Sequence, residues 1–265
     1  MGSDTINTSS TAAEPRERRE TFEVGGPVSA FVTTRSADVV ILQGDGATLA
    51  VRLRAPGGAE ALLKECEVRY DDASRTLHVV SAAASKGGRG LRRSLFGSSR
   101  DVDVEITLPA GSNVEATTAS GDCDLRADLS AAHVTTASGD AVITEARDAE
   151  VRSASGDVRV SRCHATLSVR TASGDVSVGE AATTSKVESA SGDVSLASTG
   201  EATEVSTASG DVHVAATRAG RLGVRSASGD VRISVASGLE IDVVAHSVSG
   251  DLSSSIPLDA ATSAE

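Results

Sequence analysis

Aromatic side chains are nearly missing from this chain: it has no tryptophan, and Phe22, Phe31, Tyr70 and Phe96 are the only rings of their kind in 265 residues. A compact globular core draws much of its buried area from such rings. Here Val, Leu, Ile, Ala and small polar residues must fill the interior, which suits a stack of narrow coils better than a globule. Cysteine is as sparse. Cys66, Cys123 and Cys163 are odd in number and form no close pair, which argues against a disulfide framework. Cys163-His164 lacks the CxxC or HxxxH partner that zinc needs. There is no run of eighteen apolar residues and no apolar stretch near the start, so neither a membrane span nor a secretory leader is read, and the cytoplasm is the expected location. A net charge of −12 excludes a general nucleic-acid binder, which needs a clustered positive surface.

What the chain has in abundance is the triplet Ser-Gly-Asp. It starts at Ser120, Ser138, Ser155, Ser173, Ser191, Ser209, Ser228 and Ser249, giving steps of 18, 17, 18, 18, 18, 19 and 21 residues. Each copy carries an aliphatic residue four before the serine, Ser or Thr two before it and aliphatics after it, as in Val169, Thr171, Ser173-Gly174-Asp175, Val176 and Val178. Such a unit is too short for a helical pair and has no i, i+3, i+4 stripe. Apolar alternation on both sides of a tight turn implies two short strands per unit, and stacking the units in parallel buries a face that no single unit can bury. The expected fold is all-β: a single-domain parallel β-solenoid with coils of about 18 residues, preceded by irregular strands and a hairpin.

Four segments follow. Residues 1–20 are polar and charged and read as a disordered tail. Residues 21–111 form an N-terminal β region with period-two apolar residues, a degenerate coil at Ser36-Ala37-Asp38, a helical turn at 59–65 and a hairpin from Val68 to Val79. Residues 112–256 are the regular repeats, and 257–265 a C-terminal tail. Between the hairpin and the repeats lies a basic loop, 85–100, with Lys86, Arg89, Arg92, Arg93 and Arg100 and no acidic residue. With Leu91, Leu95 and Phe96 as apolar anchors, it is a candidate interaction segment for an acidic partner or, weakly, an anionic membrane surface.

The Ser-Gly-Asp-Val units at 155–158, 173–176, 191–194, 209–212 and 228–231 resemble those of the bacterial β-strand-repeat family of unknown function labelled "putative adhesin". Cys123, Ala141 and Leu252 depart from its valine. The resemblance covers about residues 21–256 and implies a solenoid with a surface or scaffold role; it supplies no catalytic residues and no cofactor.

The residues themselves admit sharper readings. Stacked Asp122, Asp140, Asp157, Asp175, Asp193, Asp211, Asp230 and Asp251 could offer oxygen to calcium, but each unit has one glycine before its Asp, unlike the Gly-Gly-x-Gly-x-Asp repeat. The favoured role is structural: the glycine allows a tight corner, and the aspartate accepts a local N–H in an Asx turn. Arg152, Arg170, Arg225, Arg159 and Arg232 are placed to offset those carboxylates. A carbohydrate-active β-helix enzyme would gather dissimilar acids and bases on neighbouring coils, whereas these serines are equivalent and the histidines scattered. Ice binding by the row Thr118 to Ser247 is disfavoured, because alternation turns that row inward or along the edge as a hydroxyl ladder. The expectation is therefore a non-enzymatic interaction scaffold with no cofactor, presenting an extended acidic surface to a protein or glycan partner, with possible homo-oligomers through its ends. The alternative is a membrane-surface or stress-response associated protein docking through the basic loop.

Overall fold

In the computed structural model, residues 16–56, 60–81 and 101–255 are described. They form a parallel β-solenoid of about eight turns with coils about 18 residues apart. Each regular coil crosses two faces. On the first run β8 (Ser112–Thr118), the second half of β9 (Cys123–Thr136), the second half of β10 (Ala141–Ser155), β12 (Thr166–Ser173), β14 (Thr184–Ser191), β16 (Ala202–Ser209), β18 (Gly220–Ser228) and β20 (Ile241–Ser249). On the second run the first halves of β9 and β10, then β11 (Val158–Cys163), β13 (Val176–Ala181), β15 (Val194–Leu196), β17 (Val212–Ala216), β19 (Val231–Val235) and β21 (Leu252–Ser254). Neighbours pair in parallel and in register, so Val169 lies over Val187 and Val187 over Val205. The alternation follows from the pleat. Val158, Val176, Val194, Val212 and Val231 are fully buried, and so are Val151, Val169, Val187, Val205 and Val224 across the interior.

The N-terminal end is assembled out of chain order. Strands β2 (Ser29–Thr33) and β3 (Val39–Gln43) form the degenerate coil, and they pair directly with β8 and β9. The intervening chain therefore packs on the other side of that coil. Strand β6 (Thr76–Val80) joins β2, with β5 (Glu67–Asp71) antiparallel to it as the expected hairpin; β7 (Asp103–Leu108) joins β3. Beyond β7 come β4 (Thr48–Ala55) and then β1 (Arg16–Glu23), both antiparallel. Helix α1 (Glu60–Glu65) covers the end of the core, with Leu63 buried. Arg18 Nη1 donates to the carbonyls of Leu63 (3.0 Å) and Cys66 (2.9 Å), meeting acceptors that the helix end leaves open. The helix and hairpin that break the repeat in sequence thus cap one end of the stack in space.

The tail expected over 1–20 is shortened, because β1 begins at Arg16. Charge alone suggested solvation there. Antiparallel pairing with β4 sets Glu17 against Arg52 (3.7 Å) and Arg54 (3.3 Å), so these polar residues are used in a strand. The C-terminal tail 257–265 and the basic-loop residues Lys86, Arg89, Leu91, Arg92, Arg93, Leu95, Phe96 and Arg100 lie outside the described residues. The stems of that loop are fixed, however: Ser81 Oγ donates to Asp101 Oδ2 (3.2 Å) inside the N-terminal end.

Candidate functional site

The Ser-Gly-Asp corners stack, and the aspartates act between coils. The backbone N–H of Asp122 donates to Asp38 Oδ1 (3.0 Å), that of Asp140 to Asp122 (2.9 Å), and the pattern continues through Asp157, Asp175, Asp193, Asp211 and Asp230 to Asp251, whose N–H donates to Asp230 Oδ1 (2.9 Å). The expected Asx turn is therefore corrected. An Asx turn joins residues two apart, whereas the parallel register brings the next coil's N–H closer. The ladder starts one step earlier, at Asp103, which accepts the Asp38 N–H; burial and then the Asp38 charge hold its carboxyl above the usual carboxylate range.

Glycine is required here by proximity. A Cβ on Gly192 would overlap the carbonyl oxygen of Gly174 in the coil before, and its φ of +116° already disfavours an L side chain. The hydroxyl row is buried from Thr118 to Ser226, as alternation implied, but it bonds within its own corner: Thr171 to Ser173 O (3.0 Å), Ser189 to Ser191 O (3.1 Å), Thr207 to Ser209 O (3.1 Å). A coil-to-coil ladder of these hydroxyls does not form: Thr118 and Thr136 instead accept the N–H of Gly121 and Gly139, and Ser226 Oγ is buried with no hydrogen bond among the described residues.

Three of the arginines expected to offset the corner carboxylates pair elsewhere. Arg170 pairs with Glu188 (2.7 Å), Arg152 with Glu150 (2.7 Å) and Arg225 with Glu204, all on the first face. The ladder's carboxylates are met by backbone N–H groups instead. Among the described residues no group of three or more His, Cys, Asp or Glu is arranged to hold a metal ion. Cys66, Cys123 and Cys163 are buried; burial, then Asp122 and Asp38, push the Cys123 thiol up to about 12, so it is a small apolar filler at a valine position. No helix among the described residues is long and apolar enough to cross a membrane.

Both faces and the two ends are open for recognition; on the second face the outward row includes Arg159, Ser177, Ser195, His213 and Arg232. Along the first face one outward row runs Arg69, His78, Phe31, Glu115, His133, Glu150, Ser168, Lys186, Glu204, Gly223, Val244. Shallow grooves lie on it, among them ones of about 320 Å³ beside Phe31, 550 Å³ between Arg152 and Arg170, and 430 Å³ where Gly223 leaves a dip beside Val244.

At the C-terminal end β20 pairs only with β18 and β21 only with β19 among the described residues. Inward Ile241, Val243 and Ala245 are half-buried, while the corresponding Leu222 and Val224 one coil earlier are fully buried. Leu252 is 43% exposed, and two outward valines, Val244 (47%) and Val248 (87%), stand where earlier coils carry Gly223 and Ala227. Sequence reasoning passed over both valines, although Val248 interrupts a column of alanines from Ala119 to Ala227.

The profile of one family, described as Toastrack DUF4097, matches residues 30–265. No curated protein matches the chain. Among solved structures, a protein described as a putative adhesin from Bacteroides fragilis NCTC 9343 superposes with a TM-score of 0.50 at 13% identity, covering 89% of this chain and 96% of that one. A second putative adhesin, from Parabacteroides distasonis ATCC 8503, gives 0.45 at 13% identity, with 91% and 98% covered. A protein from the same strain described as a putative lipid binding protein gives 0.47 at 12%, with 89% and 96% covered. At such identities the first of these shows a shared fold.

Proposed function

The chain belongs to the Toastrack family, and from that premise we propose that it is a non-enzymatic interaction scaffold whose C-terminal edge pairs with a second copy of itself. The adhesin description of the solved relative agrees with a binding role. The observation that carries the reading is the last coil, which among the described residues exposes Val244, Val248 and Leu252 together with an unpaired strand edge. Unpaired edges recruit other strands unless they are short, charged or covered. Strand β20 is nine residues long, and its charge is confined to Asp242 and, when protonated, His246.

Antiparallel pairing of β20 with its own copy about a two-fold axis at His246 sets Val244 of each chain opposite Val248 of the other. It also sets Val243 and Ala245 of each chain opposite Ser249 and Ser247 of the other, which covers their half-exposed sides. The contact is isologous and closes on itself. The N-terminal edges β1 and β5 are charged and antiparallel, so they do not extend it into a filament.

Light scattering on the full chain over a concentration series tests this. A dimer is expected that turns monomeric in the Val244→Lys, Val248→Lys double variant with unchanged circular dichroism. A monomer at every concentration overturns the reading and points to a cover from within the chain, such as residues 256–265. A double variant that still dimerises overturns it as well.

A further inference from the structure

Phe31 is the exposed aromatic ring among the described residues. Phe22 and Tyr70 pack on each other at the core's N-terminal end, with ring centroids 5.1 Å apart, whereas Phe31 points outward from the first face and is 37% exposed. It is not isolated. The neighbouring strand stacks His78 against it, centroids 5.0 Å apart and planes 14° from parallel, so the imidazole covers one face of the phenyl ring and the other face is turned toward β8. On the other side of Phe31 opens the groove of about 320 Å³, bounded by Asn113, Glu115 and His133.

The polar groups there have capacity to spare. Asn113 Nδ2 donates to Ser29 Oγ (3.3 Å), which orients the amide and leaves its oxygen open. His133 Nδ1 lies 3.4 Å from Glu150 Oε2, leaving Nε2 available. Glu115 has no hydrogen bond or ion pair among the described residues, whereas Glu150, Glu188 and Glu204 further along the same face each hold a basic side chain. The free Phe31 face, edged by an unengaged carboxylate, an amide and an imidazole, joins an apolar plate to acceptors and donors within one groove.

We propose that this groove binds a saccharide, with one pyranose ring seated on the face of Phe31 turned away from His78. The C–H face of a pyranose is apolar and weakly electropositive, so it stacks on the negative face of an aromatic ring. Its hydroxyls radiate sideways, where the Glu115 carboxylate accepts from two neighbouring hydroxyls and the Asn113 and His133 groups take others. Side-by-side acceptance by a carboxylate gives the stronger, charge-assisted class of hydrogen bond. A lipid surface is a poorer match, because it rewards several apolar anchors and basic residues, and this site offers one anchor beside an acid. The site is small and shallow, at the low end of ligand pockets, so it takes one sugar unit, and the long face beyond leaves room for a chain.

This deepens the interaction reading by naming a ligand class and rests on it, but it is independent of pairing at the far end, whose failure would appear in light scattering alone. The test is saturation-transfer NMR and calorimetry on the full chain with three probes: hexamers of β-1,4-linked N-acetylglucosamine, β-1,4-linked glucose and α-1,4-linked glucose. At least one is expected to bind. Phe31→Ala is expected to weaken that binding about tenfold and Glu115→Gln about threefold, as loss of a stacking ring and of one charged hydrogen bond imply. Both side chains point outward, so melting temperature should not change. No binding of any probe overturns the proposal, and so does binding that Phe31→Ala leaves unchanged.

Discussion

The two ends of the coil stack are built from opposite kinds of edge. At the N-terminal end the chain turns back on its first coil and finishes both faces with antiparallel strands, β1 and β5, which carry paired charges such as Glu17–Arg54 (3.3 Å) and Glu67–Arg69 (3.3 Å). At the C-terminal end the described residues stop on two parallel strands whose register matches every coil before them, with valines on the outside and a half-covered core within. One end ends the repeat and the other, among the described residues, leaves it open. In a stack whose stability is close to a sum of neighbour contacts, the same substitution should therefore cost different amounts at the middle and at the open end.

The largest contrast is expected from the corner glycines. Gly192→Ala forces a Cβ into the carbonyl of Gly174 and strains a positive φ, which should cost at least about 3 kcal/mol in urea unfolding. Gly250→Ala meets the same overlap with Gly229. Because only the last coil need fray to relieve it, a loss of about 1 kcal/mol is expected. Equal losses would show that the final coil is held as firmly as the middle.

The ladder gives a smaller contrast of the same form. Asp193→Ala strips the acceptor from the Asp211 N–H and should cost about 1 kcal/mol. The Asp251 side chain accepts no hydrogen bond among the described residues, so Asp251→Ala should leave the urea midpoint unchanged.

The smallest effect is electrostatic. In the regular coils the Glu145 carboxyl is held below the usual range by hydrogen bonds from Arg162 and then His164, and that of Glu188 chiefly by Lys186 and then Arg170. A depressed carboxyl contributes stability above its unfolded value and loses it as pH falls through its folded value. At the N-terminal end Asp103 has the opposite sign: raised by burial, it opposes folding at neutral pH and ceases to do so once protonated. Stability should thus fall as pH drops below the ordinary carboxylate range, and Asp103→Asn should stabilise the protein at pH 7 by an amount that shrinks on acidification. A constant difference across pH in thermal melts would remove this account of Asp103.

Much of this was legible in the residues, for identifiable reasons. Triplets at near-constant spacing force a stack, and Ser36-Ala37-Asp38 was readable as a coil because the apolar positions around it survive although the glycine does not. The partner of each aspartate was not legible, since a residue two along and a residue 18 along are equally available until the register is known. The N-terminal cap was hidden for a related reason. Pairing of β2 with β8 spans more than eighty residues, as in Asn113 N–H to Val28 O (2.8 Å), and no local pattern records which coil a distant strand joins. The candidate surfaces were hidden by their simplicity: Phe31 and Val248 are ordinary residues until the fold shows them outward on a polar face.

The most direct measurement is hydrogen–deuterium exchange on the full chain at low and high protein concentration. If the open end pairs with a second copy, amides of Ile241–Ser249 gain protection as concentration rises while those of Arg16–Glu23 and Glu67–Asp71 do not. Unchanged protection in β20, or a gain at the N-terminal edges instead, would contradict the assignment of the C-terminal end as the docking edge.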